Sequence, residues 1–321
     1  MTDHTDLQEV DRATAHRAPT RPDFPSVIDA TQIATMRSCM RKQQLAYMPG
    51  NEWKPQGEQI HLLAGAAFAR GLEVARRSFY EEGKDNDTAI ADGVVALIIA
   101  YGDFEPPEGA TKTLDRMIGA LVYYFDQYIM ETDKAKPLLL PSGRRAIEFS
   151  FATPLPYLHP ITRDPILYAG RSDMIATYAE GTYVEDDKTT SQLGASWSKQ
   201  WDLRSQFTGY CWSAREAGMA VNGVLVRGVS ILKTKYDTLE AITYRSAWEI
   251  DRWLTQICRD LARLEECWRS GYYDYALDHA CTEYGGCSFT QICKSPSPEI
   301  WLPMSFERRH WDPLTRTETP L

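Results

Sequence analysis

Apolar positions recur at three- and four-residue spacing over several long stretches, the mark of helices that bury one face. Residues 26–48 carry Ile33, Met36, Cys39 and Met40 in this way, and Asp29 or Thr31 is the expected N-cap. Gly50 to Gly57 reads as a loop. Residues 58–81, EQIHLLAGAAFARGLEVARRSFYE, predict a long helix rich in Ala, Leu and Arg. Two more helices are expected over about 86–101 and 112–131, with Pro106 and Pro107 breaking the chain between them. The period then drops to two. RAIEFSFATPL (145–155), ILYAGRSDMIATYA (166–179) and TYVEDDKTT (182–190) read as strands, with a tight turn at Glu180-Gly181. Helical texture returns over 199–217, with Gly218 as its stop. GVLVRGVSIL (223–232) is a fourth strand. Residues 245–270 predict a helix with Trp248, Ile250, Trp253, Leu254, Ile257, Leu261, Leu264 and Cys267 spaced at three and four. Helix, three-strand meander, helix, strand is the order of a compact α/β core with flanking helices. The chain shows no internal repeat and no low-complexity segment.

Composition sets bounds on this picture. A chain of 321 residues that is 43% hydrophobic can bury a sizeable core. It has no run of about 18 apolar residues, so no membrane span is expected. Met1 to Pro25 is polar and lacks the basic start and apolar stretch of a secretory signal. Residues 1–25 are therefore expected to be a flexible arm, and the location cytoplasmic. The net charge of −9 argues against a protein that coats nucleic acid non-specifically. It leaves room for a basic groove on an acidic protein. The seven cysteines are an odd number; clustered cysteines in a reducing compartment are more often metal ligands than disulfides.

The hairpin from Gly170 to Thr190 carries the candidate chemistry. Asp186 and Lys188 are two apart on a strand, so they share a face, and the turn allows Asp173 to approach Asp186. Such a strand segment is ordinarily a solvated face or a simple ion pair. Here the charges sit among Tyr168, Met174, Ile175, Tyr183 and Val184, where they are unfavourable unless paired or bound to metal. Two carboxylates can hold Mg²⁺ or Mn²⁺, and an adjacent lysine can orient a water and offset developing negative charge.

GRSDMI, followed thirteen residues after Asp173 by DDKTT, resembles the GxxD and (D/E)xKT motifs of RecB-like nucleases of the PD-(D/E)XK superfamily. By that resemblance Asp173 and Asp186 are metal ligands and Lys188 is the catalytic lysine. Glu185 is a rival to Asp186 whose side chain points to the opposite face. Gln206 and Tyr210 in SQFTGYCWSARE resemble the Q-x-x-x-Y helix that follows the catalytic strands, and they share a helix face. AGAAFARGLEVAR resembles the first motif helix, matched at Gly65, Leu72 and Glu73, but Ala69 stands where the family has a histidine ligand. Glu73 could supply a carboxylate instead, or remain a solvent-facing helix glutamate. Glu148 is another candidate acid, and His61 a weaker one.

Cys281, Cys287 and Cys293 follow one another at six-residue intervals in CTEYGGCSFTQIC, and Cys39 lies far upstream. One early cysteine and three late ones resemble the iron–sulfur staple of AddB-type and CRISPR-associated RecB-like nucleases. The resemblance implies a [4Fe–4S] cluster, with Zn²⁺ as the alternative for a thiolate-only set. Cys211, Cys258 and Cys267 lie among apolar neighbours and are expected in the core. Arg37, Arg41, Lys42, Arg70, Arg76 and Arg77 could line a DNA path or be solvated helix faces. The organisation expected from the resemblance is a nuclease domain over 26–295, a helical insertion at about 86–131 and a tail over 296–321. The function it implies is metal-dependent DNA hydrolysis, as an exonuclease on ends or single strands. The setting would be recombination, repair or replication in a phage or mobile element, with a recombination or replication protein as a possible partner; if phage-encoded, the chain would act in the host cytoplasm. The alternative is a catalytically inactive DNA-binding module with the same fold.

Overall fold

A computed structural model describes residues 23–57, 60–283 and 286–316. Most of the expected arm, 1–22, lies outside the described residues. Its last part is no arm: Phe24 is buried, with its ring centroid 5.4 Å from that of Trp268. Strand β1 (Val27–Ile28) leads to helix α1 (Ala30–Ser38), capped by the Asp29 carboxylate, which accepts from Gln32 N–H at 2.8 Å. The single helix expected over 26–48 is two helices. Cys39 is extended (φ −164°, ψ 120°), and α2 (Met40–Tyr47) starts after it. The Asp274 carbonyl takes the Arg41 N–H at 3.0 Å and meets Cys39 Sγ at 3.8 Å, satisfying a donor that the break frees.

Strand β2 (Trp53–Pro55) precedes α3 (Ile60–Tyr80), α4 (Asn86–Tyr101) and α5 (Leu114–Gln127). Helices α3 and α4 touch closely because Gly71 faces Gly93; a Cβ on Gly93 would lie 2.6 Å from the Gly71 carbonyl oxygen. Then come β3 (Ala135–Pro137), β4 (Ile147–Leu158), β5 (Pro165–Tyr178) and β6 (Gly181–Thr190). Helices α6 (Ala195–Lys199) and α7 (Ser205–Glu216) cross to β7 (Gly223–Ile231) and β8 (Tyr236–Tyr244). The long α8 (Ala247–Ser270) opens with a Ser246–Glu249 capping box and ends at Gly271, which is left-handed. Short helices α9 (His279–Thr282), α10 (Thr290–Lys294) and α11 (Pro298–Ser305), strand β9 (Phe306–Arg308) and a 3-10 turn (Pro313–Arg316) follow.

The fold is mixed α/β around a central seven-stranded mixed sheet. β4, β5 and β6 form the expected antiparallel meander, β7 runs parallel to β6, and β8 is antiparallel to β7. β5 also pairs with β1 and β3. The sheet has two covered faces. On one, Phe151, Tyr168, Val184 and Val226 pack with Phe207 and Cys211 of α7 and Ile257 and Leu261 of α8. On the other, Val229 and Ile231 pack with Phe68, Leu72, Leu97 and Leu121 of the α3–α5 layer.

Several expectations need correction. The hairpin turn is one residue earlier than expected: Tyr178 pairs with Gly181, so Ala179 and Glu180 form the loop and Ala179 takes φ +50°. Trp248 is 65% exposed, and Cys258, expected in the core, is half-buried, while Cys211 and Cys267 are buried as expected. The expected tail over 296–321 is structured where described: it holds α11 and β9, and β9 pairs with β2.

Candidate active site

The β5–β6 ladder runs from Tyr178 and Gly181 up to Met174 and Glu185, and stops there. One step further, the register would set Asp173 opposite Asp186. The strands separate at that point. The Asp173 carboxylate takes the Asp187 N–H at 2.7 Å, replacing the backbone acceptor that the ladder no longer supplies. Lys188, two residues along the same face, pairs with Asp186 through Nζ and lies 6.0 Å from the Phe207 ring centroid on α7. The three residues singled out from the sequence thus meet where the sheet opens.

Glu148 lies across from Asp173 on β4, between the pairs Ile147–Met174 and Phe149–Ser172. Its φ of +52° is a strained, left-handed value for a side chain with Cβ, and marks a local kink in β4. Its carboxylate pairs with Arg171 at 2.6 Å. Glu73 is buried, not solvent-facing, and is held by Arg70 at 2.7 Å and Arg77 at 3.1 Å. Gln206 donates to the Tyr210 hydroxyl at 2.9 Å, so the two share a face as their spacing predicts. Tyr210 is buried, and burial with the nearby Asp186 charge pushes its phenol well up, so it stays protonated at neutral pH.

The electrostatics of the acids are shared. Burial, then the charges of Asp186 and Glu148, drive Asp173 well above the ordinary carboxylate range. Burial raises Asp186 against the opposing pull of Lys188. Glu148 is pushed up to about 7, by burial first and with Glu73 adding to it. Elevated carboxyl groups in one place mean negative charge that the protein alone does not offset. Their oxygen donors suit a hard divalent cation. Among the described residues, however, no three His, Cys, Asp or Glu side chains are drawn together so as to hold a metal ion. Each acid is turned to its own cation or N–H donor, and those partners would have to give way.

A groove opens over this centre. It is lined by His61, Gly65 and Ala69 of α3, Lys112 ahead of α5, and Asp173, Lys188 and Thr189. Ala69 therefore faces the groove. Glu185 and Asp187 lie on the opposite strand face from Asp186, and Asp187 also borders the groove. Arg76 binds both, at 2.7 and 2.8 Å, and Tyr124 donates to Asp187 at 2.6 Å. Arg76, read as a surface or DNA-path residue, is only 4% exposed and belongs to the core. Arg37 is tied to Asp260 at 2.7 Å. Arg171 and Arg204 escaped notice in the sequence. Arg171 had a signal, being two residues before Asp173 on one strand face. Arg204, whose charge acts on both Asp186 and Lys188, had none.

Cys39, Cys281, Cys287 and Cys293 line one pocket, with Lys42, Tyr275 and Phe289. The break at Cys39 places it there, and Gly286 at φ +100° turns the chain between the later cysteines. Tyr284 and Gly285 lie outside the described residues. All seven cysteines are free thiols.

No family model matches the chain, and no curated protein matches it. Among solved structures, the chain is similar to one from Eubacterium rectale titled "Putative exonuclease", with 12% identity and a TM-score of 0.48 over 80% of this chain and 87% of that one. It is also similar to SSO0001, with 12% identity and a TM-score of 0.31 over 71% of this chain and 84% of that one. At such scores neither likeness carries an argument about activity. Among the described residues, no helix is long and apolar enough to cross a membrane.

Proposed function

We propose that this chain is a metal-dependent deoxyribonuclease of the PD-(D/E)XK type, acting as an exonuclease on DNA ends or single strands. The observation that carries the reading is the fork at the end of the β5–β6 ladder, which leaves Asp173, Asp186 and Lys188 together, with Asp173 and Lys188 lining an open groove. Asp173 and Asp186 would hold Mg²⁺ or Mn²⁺, with Glu148 or Glu73 as a further oxygen donor. The bound ion supplies Lewis acidity toward the phosphate and a more acidic water. Lys188, steadied by Asp186, orients the attacking water and offsets charge that builds on the phosphate oxygens. Tyr210, neutral at working pH, gives the Gln206 amide a fixed acceptor and leaves its carbonyl oxygen directed by that bond.

The thiolate-only set of Cys39, Cys281, Cys287 and Cys293 favours a [4Fe–4S] cluster, with zinc as the alternative. It would tie the N- and C-terminal parts together beside the β2–β9 pairing. Iron and sulfide released from purified protein with broad visible absorption support the cluster; stoichiometric zinc in a colourless protein replaces it.

The test of the activity is cleavage of end-labelled single- and double-stranded DNA with Mn²⁺, with and without chelator. Chelator-sensitive degradation from the ends is the expected result, and intact DNA under all conditions overturns the enzyme. Ala69 in the place of the histidine, with Glu73 clamped by two arginines, favours one other reading: a module that binds DNA without cutting it. Tight binding with no degradation would select it.

A further inference from the structure

We infer that Lys112 anchors a phosphate subsite beside the catalytic centre, where it takes a backbone phosphodiester of the strand lying in the groove. The inference rests on the nuclease reading above. Lys112 lies just ahead of α5 and belongs to none of the motifs. Its backbone is pinned, because the buried Tyr101 hydroxyl donates to its carbonyl at 2.8 Å. Its side chain turns inward, leaving the residue 8% exposed, and Nζ donates to the neutral Thr189 hydroxyl at 2.8 Å.

That environment differs from those of the other buried cations. Arg76 has Glu185 and Asp187, Arg227 has Asp133 and Glu240, and the part-exposed Lys188 has Asp186; Arg245, which pairs with no carboxylate among the described residues, is met by four neutral oxygens. Among the described residues, no carboxylate pairs with Lys112. Burial depresses its pKa, and no acid acts to raise it again. An ammonium carries three donors, and one neutral acceptor in place of water leaves it poorly compensated. It lines the same groove as Asp173 and Lys188, among the hydroxyls of Thr111, Thr189, Thr190 and Ser191. This wall is rich in donors, beside acids that would be occupied by a metal. A phosphodiester offers the missing anionic oxygens, and a polynucleotide crossing the reacting position presents another such group one nucleotide away.

The test is binding of a fluorescein-labelled oligothymidylate as a function of salt, with Ca²⁺ replacing Mn²⁺ to suppress cutting. Wild type is compared with Lys112→Met and Lys112→Arg. Lys112→Met should bind more weakly and lose about 0.7 from the log–log salt slope, the loss of one phosphate contact on a single strand. Lys112→Arg should keep the slope. The melting temperature of Lys112→Met without DNA should equal or exceed that of wild type, since an uncompensated buried charge is gone; a merely structural lysine would do the reverse. An unchanged slope and affinity in a folded Lys112→Met protein removes the subsite and leaves the nuclease reading standing. Wild type that binds neither single- nor double-stranded DNA removes both.

Discussion

Strand β6 carries alternating charge on two faces that are built for different ends. On the face toward α3 and α5, Glu185 and Asp187 are bridged by Arg76, and Tyr124 adds a hydroxyl. Arg227 extends this network by gripping Asp133 with two bonds of 2.6 and 2.7 Å and pulling that carboxyl below its usual range. On the face toward α7, Asp186 and Lys188 make one ion pair beside Asp173, and burial with mutual repulsion keeps the acids raised. Glu185 is the exception on the closed face: burial lifts it to about 7 although it touches Arg76. The difference teaches that residue type does not separate scaffold from chemistry here. Partners do: Glu185 and Asp187 meet the fixed Arg76 guanidinium, whereas Asp186 and Lys188 pair with each other beside the fork at Asp173.

The sharpest way to break the comparison is to exchange which face loses its cation. Arg76→Met leaves Glu185 and Asp187 buried without their bridge, and removing one partner of a buried pair destabilises by about 3–5 kcal/mol. Chemical denaturation should show that loss, while the activity of the remaining folded fraction persists. Lys188→Ala should do the opposite. Its side chain is 32% exposed, so water can replace it and the fold survives. Cleavage should fall on the order of 10²–10³-fold, the usual scale for a lost charge-stabilising donor. Equal destabilisation by the two substitutions, or unaltered cleavage by Lys188→Ala, would erase the distinction. Next in size is Asp173→Asn, which keeps an acceptor for the Asp187 N–H but removes a carboxyl that burial and the neighbouring acids raise. It should gain about 0.5–2 kcal/mol of stability and lose activity, the usual exchange at a strained site. A loss of stability instead would mean that Asp173 is structural.

The comparison also explains what could be read from the chain. Asp173, Asp186 and Lys188 were legible because two-residue alternation assigns them a face before any fold is known. The four strands that carry or flank them were legible for the same reason. β8 was missed because Asp237, Thr238, Glu240 and Thr243 break up its apolar positions, and it takes its shape by pairing along all of β7. The break at Cys39 was hidden because apolar spacing continues through it, and the carbonyl that fixes it belongs to distant Asp274. Arg76 looked like a surface residue because its partners lie more than a hundred residues away. Lys112 fell at the start of an expected helix and drew no notice, since its burial depends on Tyr101 and Thr189 from other elements. Local pattern reveals faces; which face is closed is decided by contacts of long sequence separation.

The smallest expected effect is a dependence of stability on pH that a divalent ion abolishes on one face only. Burial, with Glu73 adding to it, pushes Glu148 from the ordinary 4.5 up to about 7. A raised carboxyl means that the folded state keeps a proton which the unfolded state has already released. Its contribution to stability is therefore complete below about 4.5 and is lost as pH rises through about 7. Asp173 and Asp186 shift in the same direction. In chelator, the melting temperature should fall between those pH values by roughly 2–4 °C for each kcal/mol lost. Mn²⁺ should flatten that fall, because a cation among the acids takes over the role of the proton. Glu185 is raised as well, but it faces Arg76 on the closed side, so its share of the slope should persist with Mn²⁺ and vanish in Glu185→Gln. A slope that Mn²⁺ leaves untouched, yet Glu185→Gln removes entirely, would put the titrating charge on the closed face and deprive the fork of its metal.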